Sequence, residues 1–409
     1  MRVLSVIILL AALVLPSGHA SASPPINISA EDLQTLQTQA AQGDVTAQYN
    51  LGVLYAGGVG VPQDYVKTRQ WWEQAAAQGY AQGQVNLGLL YANGQGVPQN
   101  YDQARQWYEN AATQGNAEAQ YNLGLLYANG QGVPQDSIKA QHWLEKAAAQ
   151  GSLVALNNLG TLFIQGQDVP QDYAVARQWF KQAAALGSAE AQFNLGLLDI
   201  EGKGAPQDST KAREWFEQAA IQGYAKAQFN LGVLYRNGHG VPQHYAMARG
   251  WYEKAAAQGH ARAQYNLGVL YYTGYGVPQD FAKAREWFEK AAVQGFADAQ
   301  NDLGYLFTVG KGVPKDEKRG VEWIRTAAEQ GNANGQDSLG EMYRDGRGVP
   351  QDYVRAYMWF SLAAEHSTGD DQKDAAKNRD QVVRSMTPAT IAEAKRLSQQ
   401  CQSQQFKGC

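Results

Sequence analysis

Proline and tryptophan recur along this chain of 409 residues at a constant interval of 36 residues. Nine of the 13 prolines keep this interval, at Pro62, Pro98, Pro134, Pro170, Pro206, Pro242, Pro278, Pro314 and Pro350. Nine of the ten tryptophans keep it as well, at Trp71, Trp107, Trp143, Trp179, Trp215, Trp251, Trp287, Trp323 and Trp359. A period of about 20 to 50 residues is typical of stacked repeats. The chain is therefore predicted to be one array rather than two or three globular domains.

Each unit of the array is predicted to be a pair of helices. In the unit 116–151 the first helix carries apolar residues at helical spacing, at Ala119, Leu123, Leu126 and Tyr127. Gly130 and Gly132 end this helix, Pro134 prevents its continuation and Asp136 is a natural N-cap for the second helix. Gly124 lies inside the first helix and recurs in every unit, which predicts that a neighbouring helix approaches closely there.

A single pair of helices cannot bury enough surface to offset its chain entropy, so neighbouring pairs must stack. Tryptophan and tyrosine are predicted to fill the space between pairs, in nine pairs spanning residues 43–366. Residues 23–42 form a half-repeat cap with Ser29 as N-cap, and residues 367–409 form a helical cap whose last helix begins at Thr387 and Pro388. Solenoids need such caps because their end repeats would otherwise expose an apolar face.

The repeated motif A-Q-Y-N-L-G-x-L-Y-x-x-G-x-G-V-P-Q-D-Y-x-x-A-x-x-W-x-x-x-A-A-x-Q-G resembles the Sel1-like repeat, a relative of the tetratricopeptide repeat. The resemblance implies an all-α solenoid and an adaptor that binds other proteins. One cysteine-rich secreted subgroup is linked to β-lactam binding and hydrolysis, which is the alternative function. Its per-repeat disulfide is absent here because no repeat contains a cysteine.

The first 22 residues have the pattern of a secretory signal peptide. Arg2 is followed by an apolar run over 3–15 and by the cleavage pattern Ala20-Ser21-Ala22. An uncleaved anchor is the other interpretation, although the run is short for a membrane span. A periplasmic or secreted protein is expected. Cys401 and Cys409 then either form a disulfide, as an even count in an exported protein favours, or remain free or intermolecular thiols.

Composition and motifs argue against several functions. The formal net charge of −4 gives no basic footprint for nucleic acid. The sequence has no H-E-x-x-H and no G-x-S-x-G, and the recurring G-x-G turn lacks the third glycine or the lysine of a phosphate-binding loop. His239 and His244, which are close in sequence, flank a turn. Neither a cofactor nor a metal is implied, and the chain is not expected to be an enzyme.

Binding residues should lie where the repeats differ, because a structural residue is needed in every unit. In tetratricopeptide stacks the first helix of each pair lines a concave groove, which here places positions 46, 49, 50, 53, 56 and 57 and their equivalents on that face. The candidate partner-binding residues are Tyr49, Tyr121, Asn122, Phe193, Phe229, Arg236, Tyr265, Tyr272 and Arg344. An aromatic groove that becomes charged toward the C-terminus suits an extended peptide or a helix of a partner protein.

Two alternatives remain open for these residues. The aromatic side chains could pack between repeats, and the recurring asparagine could bond within the frame, as the recurring glutamine of the Gln48 position is expected to do. A purely structural spacer of the cell envelope is a third interpretation of the whole chain.

Asp199 departs most sharply from the repeat, because the eight equivalent positions are Tyr or Phe. An unpaired acid in a packed position would cost several kcal/mol. Either the fifth unit is locally looser and forms a hinge, or Asp199 reaches solvent or a cation such as Lys203.

Overall fold

The structure, a computed structural model, describes residues 28–166 and 169–409. This described part contains 21 α-helices and no strand. The predicted signal peptide, residues 1–22, lies outside the described residues. The fold is the all-α solenoid predicted from the sequence: nine helix pairs follow one N-terminal helix and precede two C-terminal helices.

The helices have nearly uniform lengths. The chain begins with α1 (Ala30–Ala41). The first helices of the nine repeats are α2 (Val45–Gly57), α4 (Ala81–Asn93), α6 (Ala117–Asn129), α8 (Leu153–Gln165), α10 (Ala189–Glu201), α12 (Ala225–Asn237), α14 (Ala261–Thr273), α16 (Ala297–Val309) and α18 (Ala333–Asp345). The second helices are α3 (Tyr65–Ala77), α5 (Tyr101–Thr113), α7 (Ser137–Ala149), α9 (Tyr173–Ala185), α11 (Ser209–Ile221), α13 (Tyr245–Ala257), α15 (Phe281–Ala292), α17 (Glu317–Ala328) and α19 (Tyr353–His366). The C-terminal helices are α20 (Gly369–Val383) and α21 (Pro388–Ser403).

The chain divides into two compact units, Met1–Pro206 and Gln207–Cys409. The division falls inside the fifth repeat, between α10 and α11.

The helix ends follow from local sequence. Asp136 begins α7 by accepting a hydrogen bond from the backbone N–H of Lys139, as predicted. Gly130 ends α6 in the left-handed conformation, with φ of 66°, which a residue with a Cβ adopts only at a cost. Ser29 caps α1, and Thr387 with Pro388 begins α21, so these predicted caps are also present.

The recurring glycine of each first helix lets the second helix of the same repeat approach closely, as predicted. A Cβ on Gly88 would overlap the ring of Tyr108, and one on Gly268 would overlap the ring of Phe288. The position of Tyr108 in the second helix is buried in all nine repeats. Its residues are at most 2% exposed: Trp72, Tyr108, Leu144, Phe180, Phe216, Tyr252, Phe288, Ile324 and Phe360. The side chain at this position lies against the recurring glycine of its own repeat at Gly52, Gly88, Gly124, Gly160, Gly232, Gly268, Gly304 and Gly340.

The recurring tryptophans pack between repeats, as predicted. Trp143 packs against the cluster around Tyr108 of the preceding repeat, and Trp287 packs against the cluster around Tyr252 of the preceding repeat. All except the fully buried Trp359 remain partly exposed. The residue that follows each tryptophan fills the core instead, because adjacent helical residues point about 100° apart.

The recurring glutamine bonds to the backbone of the preceding helix. Gln120 Nε2 donates to the carbonyl oxygen of Ala112 at 3.2 Å, and Gln120 Oε1 accepts from Gln150 Nε2 at 2.8 Å. The same pattern holds Gln84, with Ala76 and Gln114 as its partners. Side-chain amides thus join successive helices at a buried position, where an unbonded amide would be costly.

The C-terminal helices α20 and α21 pack on the last repeat. Trp359, Phe360 and Leu362 of α19 are fully buried in a cluster that also holds Val382 of α20 and Ala394 of α21. Cys401 and Cys409 are joined by a disulfide. The two helices therefore cover the apolar end of the ninth repeat.

Candidate functional site

We define the A face as one side of the first helices. It carries residues 46, 49, 50, 53, 56 and 57 in the first repeat and the equivalent residues in the other repeats. On α16 a stripe of this face consists of Asp298, Asp302, Tyr305 and Val309, at i, i+4, i+7 and i+11. Tyr305 is 42% exposed and Val309 is 37% exposed, so the stripe is open to solvent.

The predicted aromatic residues of the A face are largely engaged inside their own unit. Tyr49 is 6% exposed and stacks on Trp72, and burial raises its pKa to about 12. Phe229 stacks on His260 with ring centroids 4.7 Å apart. Tyr265 packs against Phe288 and Phe296. Phe193 is 8% exposed, whereas Tyr121 is less deeply buried. Each of these ring contacts lies within one repeat, so the aromatic column is engaged in packing the array.

In two repeats the recurring asparagine contacts the tyrosine of the preceding repeat. Asn86 donates to the hydroxyl of Tyr49 at 3.4 Å, and Asn158 donates to the hydroxyl of Tyr121 at 3.5 Å. Asn122 cannot form this bond because the preceding repeat carries Val85 at the position of the tyrosine.

The other predicted binding residues differ in how firmly they are held. Arg344 forms two hydrogen bonds with Asp345, at 2.7 and 3.1 Å. Arg236 reaches Asn266 at 3.4 Å, and the hydroxyl of Tyr272 lies 3.4 Å from the ammonium of Lys311. These three side chains are partly exposed, so each presents part of its surface to solvent.

Asp302 is an acid where seven of the nine repeats have asparagine. Its Oδ2 accepts a hydrogen bond from the hydroxyl of Tyr265 at 3.1 Å, and its Oδ1 accepts one from Asn301. Both donors are neutral. Burial raises the pKa of Asp302 to about 6, because desolvation outweighs these hydrogen bonds.

The neighbouring A face of α18 carries two further carboxylates. Burial raises the pKa of Asp337, which accepts a hydrogen bond from Asn378 of α20 at 3.2 Å. Burial also raises the pKa of Glu341, which lies 3.7 Å from both Arg344 and Arg347. The A face of the last two repeats is therefore acidic, which agrees with the predicted change from aromatic to charged.

Asp199 reaches a cation, as one of the alternatives expected, but the cation is Arg177 rather than Lys203, and the side chain does not reach solvent. Its side chain is 1% exposed and lies 2.7 Å from Nη2 of Arg177, a residue of the preceding α9. Lys203 pairs with Glu201 instead. A packed and paired acid gives no support to the predicted local looseness.

The partner of Asp199 could have been found from a second departure in the sequence. Elsewhere the arginine equivalent to Arg177 pairs with a glutamate one turn later, as Arg213 does with Glu217 at 2.7 Å, and the tyrosine of the next repeat adjoins that pair. In the fourth repeat this glutamate is Lys181, and in the fifth repeat the tyrosine is Asp199. The carboxylate that pairs with the arginine therefore lies on the next helix, whereas in the other repeats that have this arginine it lies on the same helix as the arginine.

The fourth repeat also lacks the pair of bonded glutamines that joins successive helices elsewhere, as Gln120 and Gln150 do; we call these pairs the glutamine lattice. Leu156 replaces the buried glutamine, and Leu186 replaces the glutamine that would bond to it. Both members of the pair have changed together, so no buried amide is left without its partner. Leu186 is 57% exposed and Val154 is 49% exposed, which makes this repeat the most apolar at its surface within the first unit.

The described residues contain no group of three or more His, Cys, Asp or Glu side chains that could hold a metal ion. The described helices also include none with the length and apolarity needed to cross a membrane. A cavity of about 990 Å³ lies beside the turn before α17, but two of its basic side chains are already engaged. Lys315 pairs with Glu317, and Arg319 lies over the ring of Phe307.

Comparison with known proteins agrees with this architecture. The family model of the Sel1 repeat matches nine consecutive segments, 45–80, 81–116, 117–152, 153–188, 189–224, 225–260, 261–296, 297–332 and 333–367. No curated protein matches the chain.

Two solved structures are similar over most of the chain. A Sel1 repeat protein from Oxalobacter formigenes is 35% identical with a TM-score of 0.65, over 81% of this chain and 98% of that chain. The protein c5321, a protective antigen present in uropathogenic Escherichia coli strains and displaying an SLR fold, is 34% identical with a TM-score of 0.56, over 92% of this chain and 88% of that chain. Sel1 repeat scaffolds generally mediate protein–protein interaction and are typically not enzymes. With nine matched repeats and relatives of this identity and coverage, the chain belongs to the Sel1 repeat family.

Proposed function

We propose that this protein is an exported scaffold that binds a segment of a partner protein on its A face. The observation that carries the proposal is the open stripe of α16, where Tyr305 and Val309 are more than one third exposed. Exposed tyrosine beside polar groups is typical of protein interfaces, because it offers a large apolar area together with a hydrogen-bonding group. Family membership supports the same role.

The aromatic residues predicted from the sequence are poor choices for testing this proposal. Replacing Tyr265 or Phe229 by alanine would remove packing inside the unit, so a loss of binding could reflect a loss of stability. The exposed residues of α16 avoid this problem because they make little buried contact.

The test is capture of partners from cell-envelope extract by three forms of the purified protein. One form is wild type and the second carries Tyr305→Gln with Val309→Gln. The third is a control with Ile221→Gln and Val293→Gln, which changes two apolar residues at the ends of second helices that are still more exposed, at 80% and 69%. We expect the A-face variant to lose a specific partner that wild type and control retain.

Equal capture by all three forms would contradict binding on the A face. Turnover of nitrocefin by the purified protein would instead favour the alternative, a β-lactam-binding or β-lactam-hydrolysing protein.

Export, to the periplasm or the outside of the cell, is part of the proposal. It is supported by the signal-peptide pattern of residues 1–22 and by the pairing of Cys401 with Cys409, since disulfides persist in oxidising compartments. The relative that is a protective antigen supports it too. The N-terminal sequence of protein recovered from a periplasmic fraction tests it. Export predicts a chain that begins after Ala20 or Ala22, and a chain that retains Arg2 and the apolar run would contradict it.

A further inference from the structure

The A faces of α14, α16 and α18 form one continuous surface within the second unit. The hydroxyl of Tyr265 on α14 donates to Asp302 on α16 at 3.1 Å. Asn332, the N-cap of α18, donates to Asp298 on α16 at 2.7 Å. Because both bonds cross between neighbouring first helices, a ligand on this surface would meet three helices held in fixed register.

The carboxylates of this surface are poorly matched by cations. Asp298, Asp302 and Asp337 accept hydrogen bonds from neutral amide or hydroxyl groups, and none of them takes part in an ion pair within the described chain. Glu341 shares Arg344 and Arg347 with Asp345, so these two arginines serve two carboxylates. The A-face positions of the three helices thus carry five carboxylates, with Asp345 as the fifth, against two arginines, Arg262 and Arg344, and the surface retains excess negative charge.

Asp302 is the most informative of these acids about binding, because the other repeats show which neutral residue could take its place. Asparagine stands at this position in seven repeats, has nearly the same shape and could accept the same bond from Tyr265. A desolvated carboxylate without a cation is less favourable for folding than that amide. An acid retained at a cost in stability is the pattern found at binding sites.

The rings of the same surface already hold one cation of the chain itself. The ammonium of Lys311 lies 5.4 Å from the ring centroid of Tyr272, 5.1 Å from that of Phe281 and 5.9 Å from that of Tyr305. Tyr272 and Tyr305 belong to the A face, and Tyr305 remains 42% exposed. Rings at these distances attract a positive charge through their faces. The exposed side of Tyr305 offers the same interaction to an incoming lysine or arginine.

We propose that the A face of α14, α16 and α18 binds an extended segment of a partner protein that carries lysine or arginine. This inference rests on the proposed scaffold function and specifies its partner. Neighbouring helices lie about 8–10 Å apart, so a segment that crosses three of them spans about 20 Å. That distance corresponds to roughly six extended residues. Carboxylates and tyrosine rings together match the charge and the aliphatic stems of such side chains.

Synthetic peptides of equal length test the charge requirement directly. Fluorescent peptides of alternating lysine and alanine, glutamate and alanine, or glutamine and alanine are titrated with the whole protein at low salt. We expect the lysine peptide to bind, the other two to bind at least about tenfold more weakly, and binding to weaken as salt is added.

Two matched variants show whether the A face is responsible. Asp302→Asn with Glu341→Gln removes two charges from the surface, while Glu322→Gln with Glu393→Gln removes two exposed charges elsewhere in the second unit. We expect the first variant to bind the lysine peptide about tenfold more weakly and the second to bind as wild type does. Circular dichroism and the unfolding temperature of each variant show that it is folded.

Equal affinity of the two variants overturns this inference, as does failure of the lysine peptide to bind or equal binding of the glutamate peptide. These outcomes are separate from the fate of the scaffold proposal. If envelope extract still yields a partner that depends on Tyr305 and Val309, the scaffold function stands and only the basic character of the partner is rejected.

Discussion

Asp199 and Arg177 form the one ion pair of the described chain in which both side chains are at most 10% exposed. A buried pair of this kind contributes little net stability, but loss of one partner leaves the other charge without compensation. The two departures at Lys181 and Asp199 therefore belong together, since Lys181 alone would leave Arg177 without a carboxylate and Asp199 alone would give it two.

We predict that Asp199→Tyr, which restores the residue of the other repeats, destabilises the protein by about 3 kcal/mol because Arg177 then lacks an anion. Adding Lys181→Glu restores the usual glutamate one turn after the arginine and should recover most of the loss. Thermal unfolding midpoints of wild type, single variant and double variant measure this. A single variant as stable as wild type, or a double variant without recovery, would contradict the compensation.

The second prediction at the residue scale concerns Asp302. Its pKa is raised from the ordinary value of 3.8 to about 6, so the folded protein binds more protons than the unfolded chain between these pH values. The carboxylate therefore lowers stability as pH rises through this window. Asp302→Asn should stabilise the protein by roughly 1–3 kcal/mol at pH 7.5 and hardly at all below pH 4.

Denaturant unfolding of wild type and Asp302→Asn at the two pH values provides the measurement. Glu322→Gln serves as the control because it removes an exposed carboxylate, and it should leave the stability unchanged within about 0.5 kcal/mol at both pH values. An Asp302→Asn effect that is equal at both pH values would show that the charge is not its cause.

At the scale of helices, the glycine inside each first helix sets the distance between the two helices of a repeat. We predict that Gly88→Ala destabilises the protein by about 1–3 kcal/mol, because the new methyl group overlaps the ring of Tyr108. Gly250→Ala is the matched control, since Gly250 lies in α13 with open space around the added methyl group. This change should stabilise by about 0.5–1 kcal/mol, and equal effects of the two substitutions on the thermal midpoint would refute the packing role.

The glutamine lattice gives a second prediction for the helices. Gln120→Leu removes one of the two acceptors of Gln150 Nε2, which keeps only the carbonyl oxygen of Gly115 at 2.9 Å, and should destabilise by about 1–3 kcal/mol. The double change Gln120→Leu with Gln150→Leu copies the combination Leu156 and Leu186 and should be nearly neutral, because no amide is then orphaned. The carbonyl of Ala112 still accepts from Gly115 at 3.0 Å. A double-mutant cycle measured by denaturant unfolding tests this, and additive losses would count against it.

For the whole molecule, the 36-residue period was sufficient to predict the helix pairs, the glycine contacts, the caps and the bonding of the glutamine to the backbone. It did not identify the most buried column, the position after each recurring tryptophan, because the residue there is always large but varies in identity. It missed Arg177 as the partner of Asp199, since the two lie 22 residues apart on different helices. The exposed stripe of α16 depends on how neighbouring helices cover one another, and a single sequence does not contain that information.

The C-terminal helices α20 and α21 shield the apolar end of the last repeat from solvent. Ending the chain at Ser367 removes α20 and α21 and uncovers the cluster around Trp359, Phe360 and Leu362, whose side chains are fully buried in the whole protein. We predict that the truncated chain self-associates, because the last repeat of a solenoid needs a polar outer surface.

Size-exclusion chromatography with light scattering at several protein concentrations measures this self-association. The control is the full chain with Cys401→Ser and Cys409→Ser, which keeps both helices and loses only the cross-link. Because the disulfide closes a loop of only eight residues, this control should behave as the wild type does in solution. If the truncated chain matched the wild type in size and unfolding temperature, α20 and α21 would be an appendage rather than a cap. Association of the cysteine variant would instead show that the cross-link holds these helices in place on the ninth repeat.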